Sequence, residues 1–287
     1  MFPENLAPLL VAVSIGELLL LIAGSVTVYR LLFSPAGKNW RSQPSPLPLW
    51  PINLVEFVLA FLAIVAGGFF GQIVAGLYAQ QPGLDENTQL MIYGAGFQAG
   101  LLTGAFAASY ALRRKTASDD SASSGTESPV VTPPPLNLWR AAGITFLAAM
   151  PTLLILNLGW TLLLETFGFD TSKQELVDLF ANSDSIPLII TMSILAVIIA
   201  PLAEEIIFRA GFFRFLRSRT PTWIAYALPS AVFASLHGNL VAFVPLTALG
   251  IIFSYAYERT GNIRVPIIAH SLFNLHTILL ILSGVEV

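Results

Sequence analysis

The chain contains no cysteine. Disulfides, thiolate metal sites and a cysteine nucleophile are therefore excluded, and any chemistry falls to carboxylates, imidazoles, hydroxyls and amides. Charge is the second scarcity: Asp, Glu, Lys and Arg make up 11% of the 287 residues, against about 25% in soluble domains. The formal net charge is only −3, a balance that argues against nucleic acid as a partner. Histidine occurs three times, at His237, His270 and His276. No internal repeat of useful period is found. The start, Met1 to Asn5, lacks the basic n-region of a cleavable signal peptide, so the first apolar run is expected to stay as a membrane span.

What the chain has in excess is apolar surface: 55% hydrophobic residues and a mean hydropathy of +0.74. An all-α, polytopic membrane bundle of about eight helices is expected, since roughly 20 apolar residues cross the hydrocarbon layer. The candidate runs are Leu6–Phe33, Pro51–Gln80, Gln89–Leu112, Trp139–Phe167, Pro187 through Arg219, Pro221–Gly238, Leu240–Tyr257 and Asn262–Leu282. Gly67, Gly68, Gly71, Gly94, Gly96 and Gly100 supply the small residues that let helices approach closely. The polar tract 116–136 reads as a disordered linker. It divides an N-terminal three-helix region (1–115) from a five-helix region (137–287). Gln174–Phe180 reads as an amphipathic segment suited to the interface. Basic residues fall on alternate loops: Lys38 and Arg41; Arg113, Arg114, Lys115 and Arg140; Arg214, Arg217 and Arg219; Arg259 and Arg264. The opposite side has Lys173 alone. The positive-inside rule then places both termini away from the cytoplasm, with the plasma membrane as the expected location.

Against this background Ala200-Pro201-Leu202-Ala203-Glu204-Glu205-Ile206-Ile207-Phe208-Arg209 stands out. Each ionisable residue in hydrocarbon costs about 2.5–3.5 kcal/mol on insertion scales, and here there are three in six residues. Glu205 and Arg209 are i and i+4 with the acid first, the favourable order for a helical ion pair. Glu204 lies about 100° round the helix, available for other work. Downstream, Phe233 and His237 are one turn apart, and His270 and Asn274 share a helix face. His276 falls nearly opposite that stripe. Glu17, Glu56 and Glu165 also stand in apolar surroundings, where they are expected to pair or to lie near interfaces.

Two chemistries suit Glu204, His237, His270 and Asn274. A buried glutamate beside an imidazole can deprotonate water as a general base, while His270 and Asn274 donate to an oxyanion. Alternatively Glu204, His237 and His270 hold a divalent metal such as zinc, whose water attacks. Both routes end at peptide hydrolysis. Two other classes compete: a proton-coupled transporter using the same groups as a relay, and a catalytically silent membrane scaffold.

Glu-Glu-x-x-x-Arg (204–209), Phe-x-x-x-His (233–237) and His-x-x-x-Asn (270–274), in that order on successive apolar segments, resemble the CPBP intramembrane endopeptidases. These are relatives of the type II CAAX prenyl endopeptidases and of bacteriocin-processing and immunity (Abi) membrane proteins. The resemblance covers roughly Gln174 to Leu282, including Ala200-Pro201 and Val265-Pro266 ahead of the motifs. The family often has Gly after the arginine, where this chain has Ala210 and then Gly211. The resemblance implies that Glu204 activates water with His237, that His270 and Asn274 complete the site, and that Glu205, Arg209 and Phe233 support it. The implied partners are the lipid bilayer and a peptide or membrane-protein substrate.

Overall fold

A computed structural model describes residues 7–122, 137–171, 180 and 183–284. Among these residues there is no strand. The helices are α1 (Ala7–Phe33), α2 (Pro35–Ser42), α3 (Leu54–Ala79), α4 (Glu86–Ala122), α5 (Leu138–Thr166), α6 (Ile186–Arg217), α7 (Thr222–Ser235), α8 (Leu240–Thr260) and α9 (Arg264–Leu282). Seven of them, all but α2 and α7, are long and apolar enough to cross a membrane. The multi-pass reading therefore stands, with one adjustment. The sixth apolar run forms a helix of only 14 residues, which rises about 21 Å where the hydrocarbon layer measures about 30 Å. The amphipathic reading of Gln174–Phe180 lies outside the described residues except at Phe180. The polar tract is helical at its start, because α4 runs on to Ala122; residues 123–136 are outside the description.

Contacts divide the chain into two compact units. Unit 1 comprises the described parts of residues 1–48, 135–184 and 221–287, and unit 2 those of 49–134 and 185–220. Each unit draws chain from both sides of the 116–136 tract. A helix whose apolar face continues all round packs wherever a complementary face is offered, and sequence neighbours have no monopoly on that.

Unit 1 is built on α5. It packs against α1, α8 and α9, and α7 packs on α8. Its core joins Ala142, Ala149 and Leu153 of α5 to Leu249 and Phe253 of α8 and Ala269 of α9. Gly24 of α1 sits directly on the Leu147 carbonyl and the Pro151 ring. The indole N–H of Trp160 donates to the Leu240 carbonyl at 2.8 Å, tying the far end of α5 to the start of α8. Two acids find unlike partners in the molecule. Glu17 of α1 meets His276 Nε2 of α9 at 2.7 Å, which accounts for an otherwise isolated intramembrane carboxylate and for the third histidine together.

Unit 2 packs α3 against α4, and α6 against both. Glu56 is a helix cap: its carboxylate accepts from the Asn53 N–H at 2.7 Å while Asn53 Oδ1 accepts from the Glu56 N–H at 3.0 Å, a reciprocal capping box. At the start of α4, Asp85 accepts from the Thr88 N–H at 2.7 Å. These bonds from Thr88 hold the Asp85 carboxyl below the ordinary carboxylate range. Five of the glycines noted in the sequence line the α3–α4 seam, while Gly94 faces Leu195 and Met192 of α6. A Cβ on Gly71 would stand 2.1 Å from the Gly96 carbonyl oxygen, and one on Gly67 would stand 2.5 Å from that of Gly100.

Because that seam is backbone against backbone, Gly71→Ala should destabilise the purified protein by about 1–3 kcal/mol, the usual cost of overpacking. Gly16→Ala, where nothing lies within 4 Å, should not. Thermal unfolding of both variants in detergent micelles checks the contrast.

Candidate active site

The acidic end of the candidate site is a short α-helical stretch, Ala200–Glu205, set between two wider π-helical stretches of α6, Leu195–Ile199 and Ile206–Phe213. The Ala200 N–H bonds to the Leu195 carbonyl and the Arg214 N–H to that of Arg209, five residues back in each case. Proline supplies a cause for the first. Pro201 has no N–H to give and crowds the carbonyl four residues earlier, and widening the preceding turn relieves that crowding. π-Turns inside α-helices are frequent at functional sites. The sequence signal for this one is Pro201 in mid-run; the second carries Gly211.

Within this segment the two acids differ. Glu205 and Arg209 are fully buried, at 0% and 1% exposure, and pair at 3.0 Å between Oε1 and Nη1. Glu204, its neighbour, is half-buried. Arg209 is thus a counter-charge for Glu205, and the pair forms even though it straddles the α-to-π boundary.

In unit 1, Phe233 organises the imidazoles. Its ring is edge-on to His237 (centroids 4.9 Å, 66°) and to His270 (6.0 Å, 82°). Phe253 of α8 also lies against His270, at 5.1 Å and 34°. Phe253 belongs to no local motif, which is why sequence reasoning missed it. His270 is buried at 3% exposure, and Asn274, one turn on in α9, is half-buried.

His237 lies past the end of α7, in the turn that leads to α8. Gly238 follows with φ +64°, a left-handed conformation that glycine adopts without strain. Asn239 then caps α8 by accepting from the Ala242 N–H at 2.9 Å. His237 Nδ1 is 2.9 Å from the Phe233 carbonyl oxygen. A carbonyl can only accept, so Nδ1 carries the proton and, in the neutral ring, Nε2 presents its lone pair. Such a second-nitrogen bond is the usual means of fixing an imidazole tautomer.

The four predicted groups thus occur as Glu204 on unit 2 and His237, His270 and Asn274 on unit 1, the two histidines sharing Phe233. Among the described residues no group of three or more His, Asp or Glu side chains is placed to hold a metal ion. Phe233 thus has two imidazoles against its ring, His237 and His270.

Residues 186–276, which carry all of these groups, match the family model described as Type II CAAX prenyl endopeptidase Rce1-like. This segment resembles the Rce1-like endopeptidases. A Bacillus subtilis (strain 168) protein named "Putative membrane peptidase YdiL" is 32% identical over 120 residues, 42% of this chain and 48% of that protein. The Lactococcus lactis subsp. lactis (strain IL1403) UPF0177 protein YbdI is 34% identical over 83 residues, 29% of this chain and 44% of its own. An uncharacterized 24.3 kDa protein of Escherichia coli is 32% identical over 104 residues, 34% of this chain and 48% of its own. The chain spans about half the length of the curated relatives it matches. No solved structure matches it.

Two outcomes follow from this geometry. Glu205→Gln leaves the Arg209 guanidinium buried without its counter-charge and should cost about 3–5 kcal/mol, whereas removing both charges together, as Glu205→Gln with Arg209→Met, should recover part of the loss. Denaturation midpoints of the single and double variants decide it, and a double variant no better than the single would count against the pairing. Nitrogen NMR of ring-labelled histidine should find the His237 Nδ1–H tautomer in the neutral state, and the opposite tautomer on replacement is not expected.

Proposed function

We propose that this Rce1-like chain is an intramembrane endopeptidase. The supporting observation is that the single matched segment, 186–276, contains Glu204, His237, His270 and Asn274, with His237 held in the tautomer that exposes a basic Nε2. In the proposed reaction a water molecule gives a proton to the Glu204 carboxylate, oriented by His237 Nε2, as its oxygen attacks the peptide carbonyl carbon. The resulting oxyanion accepts hydrogen bonds from the His270 ring and the Asn274 amide. The carbon–nitrogen bond then breaks, and Glu204 returns its proton to the leaving amine. Glu205 and Arg209 act as a positioning pair beneath Glu204, and Phe233 positions the imidazoles.

The reading requires the Glu204 carboxylate and the His237 imidazole to share one water. Its substrate class is a peptide or a membrane-protein segment presented from the bilayer. With α7 counted as an eighth crossing, the distribution of Lys and Arg assigns both termini to the non-cytoplasmic side. No metal takes part in the steps as written.

The test uses purified full-length protein in detergent with a peptide library. Glu204→Gln and His237→Ala should each lower turnover by about 10²–10⁴, the usual worth of a general acid–base group, without moving the thermal midpoint. The double variant should lose little more than either single one, as expected of groups acting together. Turnover should survive a chelator. Loss in chelator with recovery on adding zinc would put the metal route in place of this one, and a folded protein that cleaves nothing would establish a silent scaffold.

A further inference from the structure

The basic end of unit 1 contains a cavity that the reaction above does not use. It has a volume of about 650 Å³, within the roughly 300–1,000 Å³ of small-molecule sites. It lies between the C-terminal turn of α1, α2, the first turns of α5 and the C-terminal turn of α8. Three guanidiniums line it, those of Arg30, Arg140 and Arg259, and among the described residues no carboxylate does.

The three arginines differ in how far they are already engaged. Arg259 is fastened: its Nη1 donates to the Gln43 carbonyl at 2.7 Å, its Nη2 to that of Trp40, and its head lies over the Trp40 ring at 5.1 Å. Its buried Nε has no hydrogen-bond partner among the described residues. Arg30 and Arg140 are exposed and make no ion pair among the described residues. The hydroxyls around them are turned inward onto their own helices, Thr145 to the Ala141 carbonyl and Thr260 to that of Ala256. Asn137 is occupied in capping α5. The groups left to meet a ligand are therefore cationic. Leu31, Ala141, Ile144 and Ala256 complete the walls with apolar surface.

We infer that this cavity binds the headgroup of an anionic phospholipid. The phosphate would meet Arg30 and Arg140, with the glycerol and upper acyl carbons against the Leu31 and Ile144 wall. Three positive charges with no carboxylate among the lining residues call for an anion, and guanidiniums bind phosphate through paired N–H donors. The apolar walls favour an anion that carries a hydrocarbon stem over a free ion. The place agrees, since Arg30 stands in the last turn of the α1 span and Arg140 in the first turns of the α5 span. This is the side that the basic loops assign to the cytoplasm, where anionic lipids attract arginines near the membrane surface and basic pockets between spans bind lipid headgroups.

The test takes the full chain into vesicles of phosphatidylcholine alone, or of phosphatidylcholine with one-fifth phosphatidylglycerol. Bound lipid is counted by native mass spectrometry after extraction, and the thermal midpoint is recorded. Retention of phosphatidylglycerol in preference to phosphatidylcholine, with a raised midpoint, is expected. Arg30→Gln with Arg140→Gln should weaken it by about tenfold or more, while Arg30→Lys with Arg140→Lys should largely preserve it. Arg113→Gln with Arg114→Gln, an equal loss of charge at the end of α4, should leave it unchanged. Equal losses in the two Gln pairs, or equal retention of both lipids, would overturn the assignment. Displacement of the lipid by inorganic phosphate at matched ionic strength would make the cavity a free-anion site and would also overturn it.

Discussion

An ion pair with no water around it holds a peculiar position in this chain. Glu205 and Arg209 are together almost wholly inaccessible, inside a helix whose other residues are chiefly apolar. Alone, either charge would be driven out of such surroundings; together they tolerate them. Their cost is set mainly by desolvation, so neighbouring groups must keep the geometry close. The π-turns on either side of Ala200–Glu205 belong to that geometry. They set the angular position at which the helix delivers two successive carboxylates, one committed to an arginine and the next, Glu204, only half-buried.

The same economy governs the rest of the molecule. Most charges that enter apolar surroundings have an identifiable occupation. Glu17 is matched by His276, Glu56 closes a helix end, and Arg219 reaches the carbonyls of Trp50 and Ile52. Glu258 accepts from the Tyr226 hydroxyl. His237 and His270 of unit 1 rest against aromatic rings, and His237 also bonds a backbone carbonyl.

Much of this could be read from the residues in order, and what could not has physical reasons. Apolar length alone foretold the long helices, because a single apolar run satisfies its own backbone in hydrocarbon only as helix. The i, i+4 spacing of Glu205 and Arg209, and of His270 and Asn274, is local and therefore visible. Glu56 was open to misreading as an intramembrane acid because its role depends on Asn53 three residues earlier and on where the helix begins. The meeting of Glu17 with His276, 259 residues apart, has no local signature at all. Nor does the lodging of Phe253 against His270, or the grouping of α1 with α5 across the polar tract. Helices that are apolar on every side give little indication of which neighbour they will choose. The widened turns of α6 were foreshadowed only by Pro201 and Gly211.

The brevity of α7 has a consequence for the bilayer itself. A helix that rises about 21 Å in a layer about 30 Å deep leaves roughly 9 Å that it does not fill. Where α7 crosses, hydrocarbon next to it thins, or polar material dips inward, to make up the difference. That indentation falls at the ends of α7, and His237 stands at one of them. A dimple in the lipid beside an imidazole would shorten the road that solvent has to travel to reach a bond deep in oil.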